Sequence, residues 1–294
     1  LLMPLEEVFR SHRQPACEQR AFVLHAVGIA SEVLPYEGSF LLFVDSESAV
    51  AARDHIERYN SENADIASPR PLPTPHDHAW IAPALYTAVL IGASYCAGKR
   101  LFGFNWYEAG ELRSGVQHSG EWWRSVTALT LHVDVAHLLG NVGFGSFFGF
   151  LAARLLGAGA AWASIVLAAV LGNLLDSALM PNTHSSIGAS TAVFATLGLV
   201  AAYSWRLQLS KRMQWAHRWA PLISGVMLLA LLGSGDEHTD VLAHLTGFIC
   251  GVLLGASYAR IPPKIFSSLA LQVGAAFTAT AVVIGAWVWA AANV

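Results

Sequence analysis

From residue 79 onward the apolar residues fall into stretches of about twenty, separated by short polar segments. Seven runs, 79–98, 135–156, 158–178, 186–205, 219–235, 241–259 and 267–291, predict membrane-spanning helices. The fifth is the weakest, with an apolar core of only Leu222–Gly233. Before residue 60 the pattern differs. Phe22, Val23, Ala26 and Val27 make a helical stripe, and Ser31–Tyr36 and Ser39–Val44 alternate as a hairpin turning at Glu37-Gly38. Asp45 is placed to cap a second helix whose buried side is Ala49, Ala52, Ile56 and Tyr59. Residues 1–60 therefore read as a small soluble αβ module of order helix–strand–strand–helix. Residues 61–78 follow as a linker in which Pro69, Pro71, Pro73 and Pro75 alternate, favouring an extended, semi-rigid spacer.

Composition agrees with this division. The 294 residues are 54% hydrophobic and only 13% charged, against about 25% charged in soluble domains. The chain is read as an α-helical polytopic membrane protein with the lipid bilayer as its partner. A net charge of −3 offers no basic field for nucleic acid. Cys17, Cys96 and Cys250 are far apart and odd in number, so they predict buried small apolar groups rather than a disulfide framework.

Lys and Arg set the expected orientation. The loop 206–218 carries Arg206, Lys211, Arg212 and Arg218, and the loop after the sixth run carries Arg260 and Lys264, whereas 179–185 and 236–240 carry none. This puts the soluble module in the cytoplasm and the C-terminus outside. Residues 99–124 disagree: they hold Lys99, Arg100, Arg113 and Arg124 yet must lie outside, partly offset by Glu108, Glu111 and Glu121.

Runs two, four and six then start at the same membrane face. Counted from Asp134, Ser186 and Asp240, the residues His137, Ser190 and His244 lie three, four and four positions in. That is roughly 5–6 Å below the boundary, with Asn141 about one turn deeper. Polar side chains at that depth are costly unless they pair or meet water, so their common level predicts a shared wet cavity. A serine hydroxyl needs a base to take its proton, and neutral imidazole suits that role. An oxyanion needs donors, which the Asn141 amide, a His137 ring N–H and the Ser190 backbone N–H offer. Apart from Asp134 and Asp240 at the boundary, no acidic residue stands near either histidine, so a Ser–His dyad held by packing is expected, with Phe194 against His244. Gly247, Gly251 and Gly255 make a stripe for close contact with Gly188, Ala192 and Ala195–Thr196 of the fourth run.

Three separated motifs now resemble a known family, the rhomboid intramembrane serine proteases. They are Glu121-Trp122-Trp123-Arg124 with Thr127, His132 and His137-Leu138-Leu139-Gly140-Asn141; Gly188-Ala189-Ser190; and Ala243-His244-Leu245-Thr246-Gly247. The resemblance covers about 79–260 and implies a rhomboid-like six-helix bundle, with 261–294 as the added helix of the six-plus-one type. It implies Ser190 as nucleophile, His244 as base, His137 and Asn141 as oxyanion stabilisers, and 99–124 as a structured loop in the outer leaflet. It further implies single-span membrane protein substrates cleaved near the outer face, in a bacterial-type inner membrane, with no cofactor or metal. Thr191 departs from the glycine usual after the serine, and its branch is expected to crowd the oxyanion pocket.

Plainer readings stand beside these. His132 reads as a structural hydrogen-bonder, and His184 and His238 as solvated loop residues. Trp122 and Trp123 read as headgroup anchors, and Arg124 as a cap on carbonyls or a partner of lipid phosphate. A non-catalytic rhomboid-like protein that binds transmembrane partners is the alternative function. A metal-dependent enzyme or transporter using the histidines is a further rival, set aside because nothing reads His-Glu-x-x-His and no carboxylate ligand is read within the spans.

Overall fold

The computed structural model describes residues 4–63, 75–181, 183–207, 215–233 and 240–293. It divides into two units, one built from the N-terminal residues and one from the helical remainder. Pro69, Pro71, Pro73, Lys211, Arg212 and His238 lie outside the described residues.

In the first unit, β1 (Leu5–Ser11) and α1 (Gln14–Ala26) precede the hairpin β2 (Ser31–Tyr36) and β3 (Ser39–Asp45), with α2 (Ala49–Asn63) last. The sheet is antiparallel in the order β1-β3-β2. The hairpin turns where predicted, at Glu37 (φ 44°) and Gly38 (φ 76°), the left-handed pair that a tight two-residue turn requires. Strand β1 was not expected, because its Glu6, Glu7 and Arg10 interrupt any apolar alternation. The helical stripe is also corrected: α1 buries Cys17 and Leu24, while Phe22 is 74% exposed. Helix α2 buries Ala49, Ala52 and Ile56 as the spacing predicts, but Asp45 makes no side-chain cap.

The second unit begins with α3 (Ile81–Gly98) and continues into a structured loop containing α4 (Trp106–Gly110), β4 (Leu112–Arg113), α5 (Val116–Ser119) and α6 (Arg124–Thr127). Long helices follow: α7 (Val135–Leu156), α8 (Ala158–Leu179), α9 (Ser190–Leu207), α10 (Trp215–Gly233) and α11 (Val241–Tyr258). A two-residue strand β5 (Ser185–Ser186) precedes α9, and the short α12 (Pro263–Phe266) leads to α13 (Leu269–Asn293). The protein is a polytopic helical membrane protein: α3, α7, α8, α11 and α13 are each long and apolar enough to cross a bilayer. Helix α9 carries Ser190, Thr191, Thr196, Ser204 and Arg206, which dilute its hydropathy, and twelve of its eighteen residues are buried. It sits inside the bundle, where neighbouring helices rather than lipid surround it. Helix α10 has an apolar stretch of only Trp219–Leu231.

The loop before α7 explains its own charge. Arg113 pairs with Glu111 and Arg124 with Glu121, each within 3.0 Å. The Arg124 side chain is buried and donates to the Glu108 and Glu111 carbonyls at 2.7 and 3.1 Å. Of its two expected roles, carbonyl capping is the one found. Trp122 is exposed, but Trp123 is buried and donates to the Ala109 carbonyl at 3.2 Å, so it is no headgroup anchor.

Candidate active site

Each candidate side chain is set by a local device. Asp134 caps α7 by accepting from the His137 backbone N–H at 2.8 Å, which orients the turn bearing His137. One turn on, the Asn141 carbonyl accepts from the buried Tyr86 hydroxyl at 3.0 Å. The Asn141 Nδ2 is buried and has no hydrogen-bond partner among the described residues. A buried amide donor left over in this way calls for an explanation, and an intermittent ligand is one.

The segment before Ser190 is extended rather than helical. Leu112 and Arg113 pair with Ser186 and Ser185, and the Gly188 N–H donates to the Ala128 carbonyl at 3.0 Å. Helix α9 therefore starts at Ser190, not at 186, and the serine is its first residue. His137 is third in α7 and His244 fourth in α11, so the equal helical offsets counted from the sequence do not hold for Ser190. Being first exposes it to the unpaired N–H groups of the helix start.

Gly188 has φ +142°, and a Cβ built on it would lie 2.8 Å from His137 Nε2 and 3.6 Å from Ser190 Oγ. The hydroxyl and the His137 ring thus face one small space that only glycine leaves open. His132 lies behind His137, ring edge to ring face at 5.1 Å, and its Nε2 is 3.5 Å from the Ala189 N–H. Burial, then the neighbouring His137, pulls the His132 pKa down to about 4, so the ring is neutral and able to accept. The structural role expected of it is the one observed.

His244 is buried in α11, and its ring lies 4.5 Å from that of Phe194, one turn after Ser190. The two helices meet closely. A Cβ at Gly247, Gly251 or Gly255 would collide with the backbone carbonyls of Thr191, Ala195 and Leu199 respectively. The row of α9 in contact is therefore 191, 195 and 199, with Gly198 against the Phe248 carbonyl; of the expected Gly188, Ala192 and Ala195–Thr196, Ala195 belongs to it. This also relocates Thr191. Its γ-methyl fills the space beside Gly247 of α11 and Gly172 of α8, and only 3% of the residue is exposed. The branch points into helix packing and away from the pocket it was expected to crowd.

Asp240 caps α11 through the Ala243 N–H at 3.0 Å, and its other oxygen meets His184 Nε2 at 2.8 Å. His184 is thus not the solvated loop residue expected. Asp176, inside α8, also approaches it at 3.8 Å, which corrects the reading that the spans hold no carboxylate ligand. The signal was available: Asp176 is the single charged residue in 158–178.

Residues 119–261 match the rhomboid domain model. The chain is 34% identical over 139 residues to the rhomboid-like protease 3 of Toxoplasma gondii, covering 46% of this chain and 51% of that protein. It is 32% identical over 147 residues to RHOMBOID-like protein 1 of Arabidopsis thaliana, covering 48% and 36%. A putative rhomboid protease of Bacillus subtilis, YdcA, is 26% identical over 136 residues. The chain thus spans about half, or less, of the first two relatives' own length. The matched region holds His132, the starts of α7 and α9 and the glycine-lined α11, and residues 119–261 form a rhomboid domain.

Proposed function

We propose that this protein is an intramembrane serine endopeptidase that cleaves single-span membrane proteins within the bilayer, near the outer face. The observation that carries the reading is the opening at Gly188, where the Ser190 hydroxyl and the His137 ring face one space. Asn141, one turn along α7, has a buried amide donor without a partner among the described residues.

In this mechanism His244 takes the Ser190 hydroxyl proton as Oγ attacks the substrate carbonyl. The oxyanion receives hydrogen bonds from the Ser190 N–H, His137 and the Asn141 amide. Collapse breaks the C–N bond, and the His244 proton leaves with the amine. Water then repeats the sequence on the acyl-serine, with His244 again as base. Asp240 spends its carboxylate on Ala243 and His184, and the Phe194 ring packs against the base. The distribution of Lys and Arg favours a cytoplasmic N-terminal module and an outer C-terminus.

The test is cleavage of a fluorescent transmembrane substrate by the full chain in detergent. Ser190→Ala and His244→Ala are each expected to abolish it, and survival in either variant sinks the assignment. A wild-type protein that binds the substrate without cutting it would support the alternative, a rhomboid-like protein that holds transmembrane partners.

A further inference from the structure

Asp176 is fully buried near the end of α8, and neither carboxylate oxygen has a hydrogen-bond partner among the described residues. Burying an ionised carboxylate without compensation is among the costliest placements a side chain can have. The groups facing it are His184, from the loop before β5, and Asp240, the residue capping α11. His184 Nε2 is 2.8 Å from Asp240 Oδ2 and 3.8 Å from Asp176 Oδ2, and one ligand atom from each of the three residues lies within 4.8 Å of the others. The cluster is built: the His184 N–H donates to the Pro181 carbonyl, and its own carbonyl accepts from the Ser114 N–H.

We propose that Asp176, His184 and Asp240 bind a divalent transition-metal cation, with Zn²⁺ the best match. Two carboxylates facing one another repel, and a divalent ion cancels the pair while supplying the partner that Asp176 lacks. The imidazole selects among ions: Ca²⁺ and Mg²⁺ take oxygen ligands, whereas Zn²⁺ takes mixed nitrogen and oxygen sets. Ligand atoms around tetrahedral Zn²⁺ at about 2.0–2.2 Å stand roughly 3.4 Å apart, so the 2.8 Å between His184 and Asp240 must open by about 0.6 Å and the 3.8 Å to Asp176 close by about 0.4 Å. His184 and Asp240 retain 24% and 11% side-chain exposure, which leaves an approach from the surface. The departure from the expectation of no metal has a simple cause, since two of the three ligands come from loop and cap positions that share no sequence motif.

The cation acts as a brace. His184 precedes Ser190 by six residues and Asp240 precedes His244 by four, so one ion ties both helix entrances to α8. It touches neither Ser190 nor His244, and the inference does not depend on the protease reading because its readouts are metal and stability.

The experiment uses the full chain in detergent, stripped with a chelator, titrated with ZnCl₂ and followed by metal analysis and thermal melting. About one tightly held Zn²⁺ per chain is expected, with a melting temperature raised by several degrees and no response to Mg²⁺. His184→Gln and Asp176→Asn should each weaken zinc binding at least ~10-fold. Asp176→Asn should in addition melt at or above the wild type when metal-free, since the amide has no charge to bury. A wild-type melt indifferent to zinc and chelator overturns the proposal. Stabilisation by acid in its place would assign the cluster to a proton shared between the carboxylates. Zinc binding unchanged in both variants would overturn it as well, placing the ion elsewhere. If Asp176→Asn does not fold, the wild-type titration and His184→Gln decide.

Discussion

Thr191 illustrates how one side chain's direction changes a functional expectation. Set beside the nucleophile, a branched residue threatens the oxyanion pocket, but the γ-methyl lies between Gly172 and Gly247. Thr191→Gly therefore widens nothing at Ser190 and leaves a methyl-sized hole where three helices meet. A loss of about 1–2 kcal/mol in stability is expected, from the missing contacts and the freer backbone, with no gain in kcat/KM. Faster cleavage by this variant would return the threonine to the pocket. Asn141 carries the opposite expectation. Its Nδ2 has no partner among the described residues to lose, so Asn141→Ala should spare the melting temperature while lowering kcat by about 10²–10³ if the amide serves the oxyanion. His132 sets a pH limit. Its pKa near 4 in the fold lies below the unfolded value of about 6.5, so between the two the unfolded chain binds more protons. Its contribution is intact above about pH 6.5 and is lost as pH falls toward 4, by roughly 3 kcal/mol in all. Melting temperature against pH should show this acid limb, and His132→Gln should flatten it.

Among the elements, the α9–α11 pair decides whether serine and histidine share a site at all. Gly251 has the Ala195 carbonyl oxygen where a Cβ would go, so any larger residue must push the helices apart. Gly251→Val is expected to cost about 3 kcal/mol or more and to take cleavage with it; a variant as stable as wild type would show that the helices can part freely. The stripe on α11 was legible because a four-residue glycine repeat survives any change of neighbours. Its partner row was legible only at Ala195, because placing 191 and 199 beside it, and not 188 and 192, needs the true start of α9. Ser185 and Ser186 pair with the loop strand β4, and nothing in an apolar run announces a two-residue strand. Helices α3, α7, α8, α11 and α13 were legible for a broader reason, since length and apolarity are what a bilayer demands. The side-chain roles of Trp123 and Arg124 turned on tertiary partners, the Ala109, Glu108 and Glu111 carbonyls, which the sequence pattern does not reveal. Likewise β1 pairs with β3 through backbone that its charged side chains conceal.

At the scale of the whole helical unit, α13 is tied to the bundle at both of its ends. Near its start, Gln272 accepts from the Gly159 and Ala160 N–H groups at 2.8 and 3.0 Å, and donates to the Leu156 and Phe266 carbonyls at 2.8 and 2.6 Å. One amide thus satisfies the turn between α7 and α8, where unpaired backbone is most costly in a membrane. Near the other end, Trp287 donates to Thr130 Oγ1 at 3.1 Å, and its ring lies 4.4 Å from that of Trp106 and against Gly110. Thr130 and Gly110 belong to the same loop that pairs with the segment before Ser190. The last helix therefore reaches the candidate site through the loop, and its two anchors should separate when tested. Gln272→Ala exposes unmet backbone groups far from Ser190 and should lower stability by about 2–4 kcal/mol. Trp287→Ala should cost about 3–5 kcal/mol and, in the fraction that remains folded, loosen the loop and depress cleavage further than Gln272→Ala does. Thermal melts and single-turnover cleavage of the two variants, compared at a temperature where both are folded, make the comparison. Equal activity in the folded fractions would mean that α13 only stabilises the bundle and has no hold on the site.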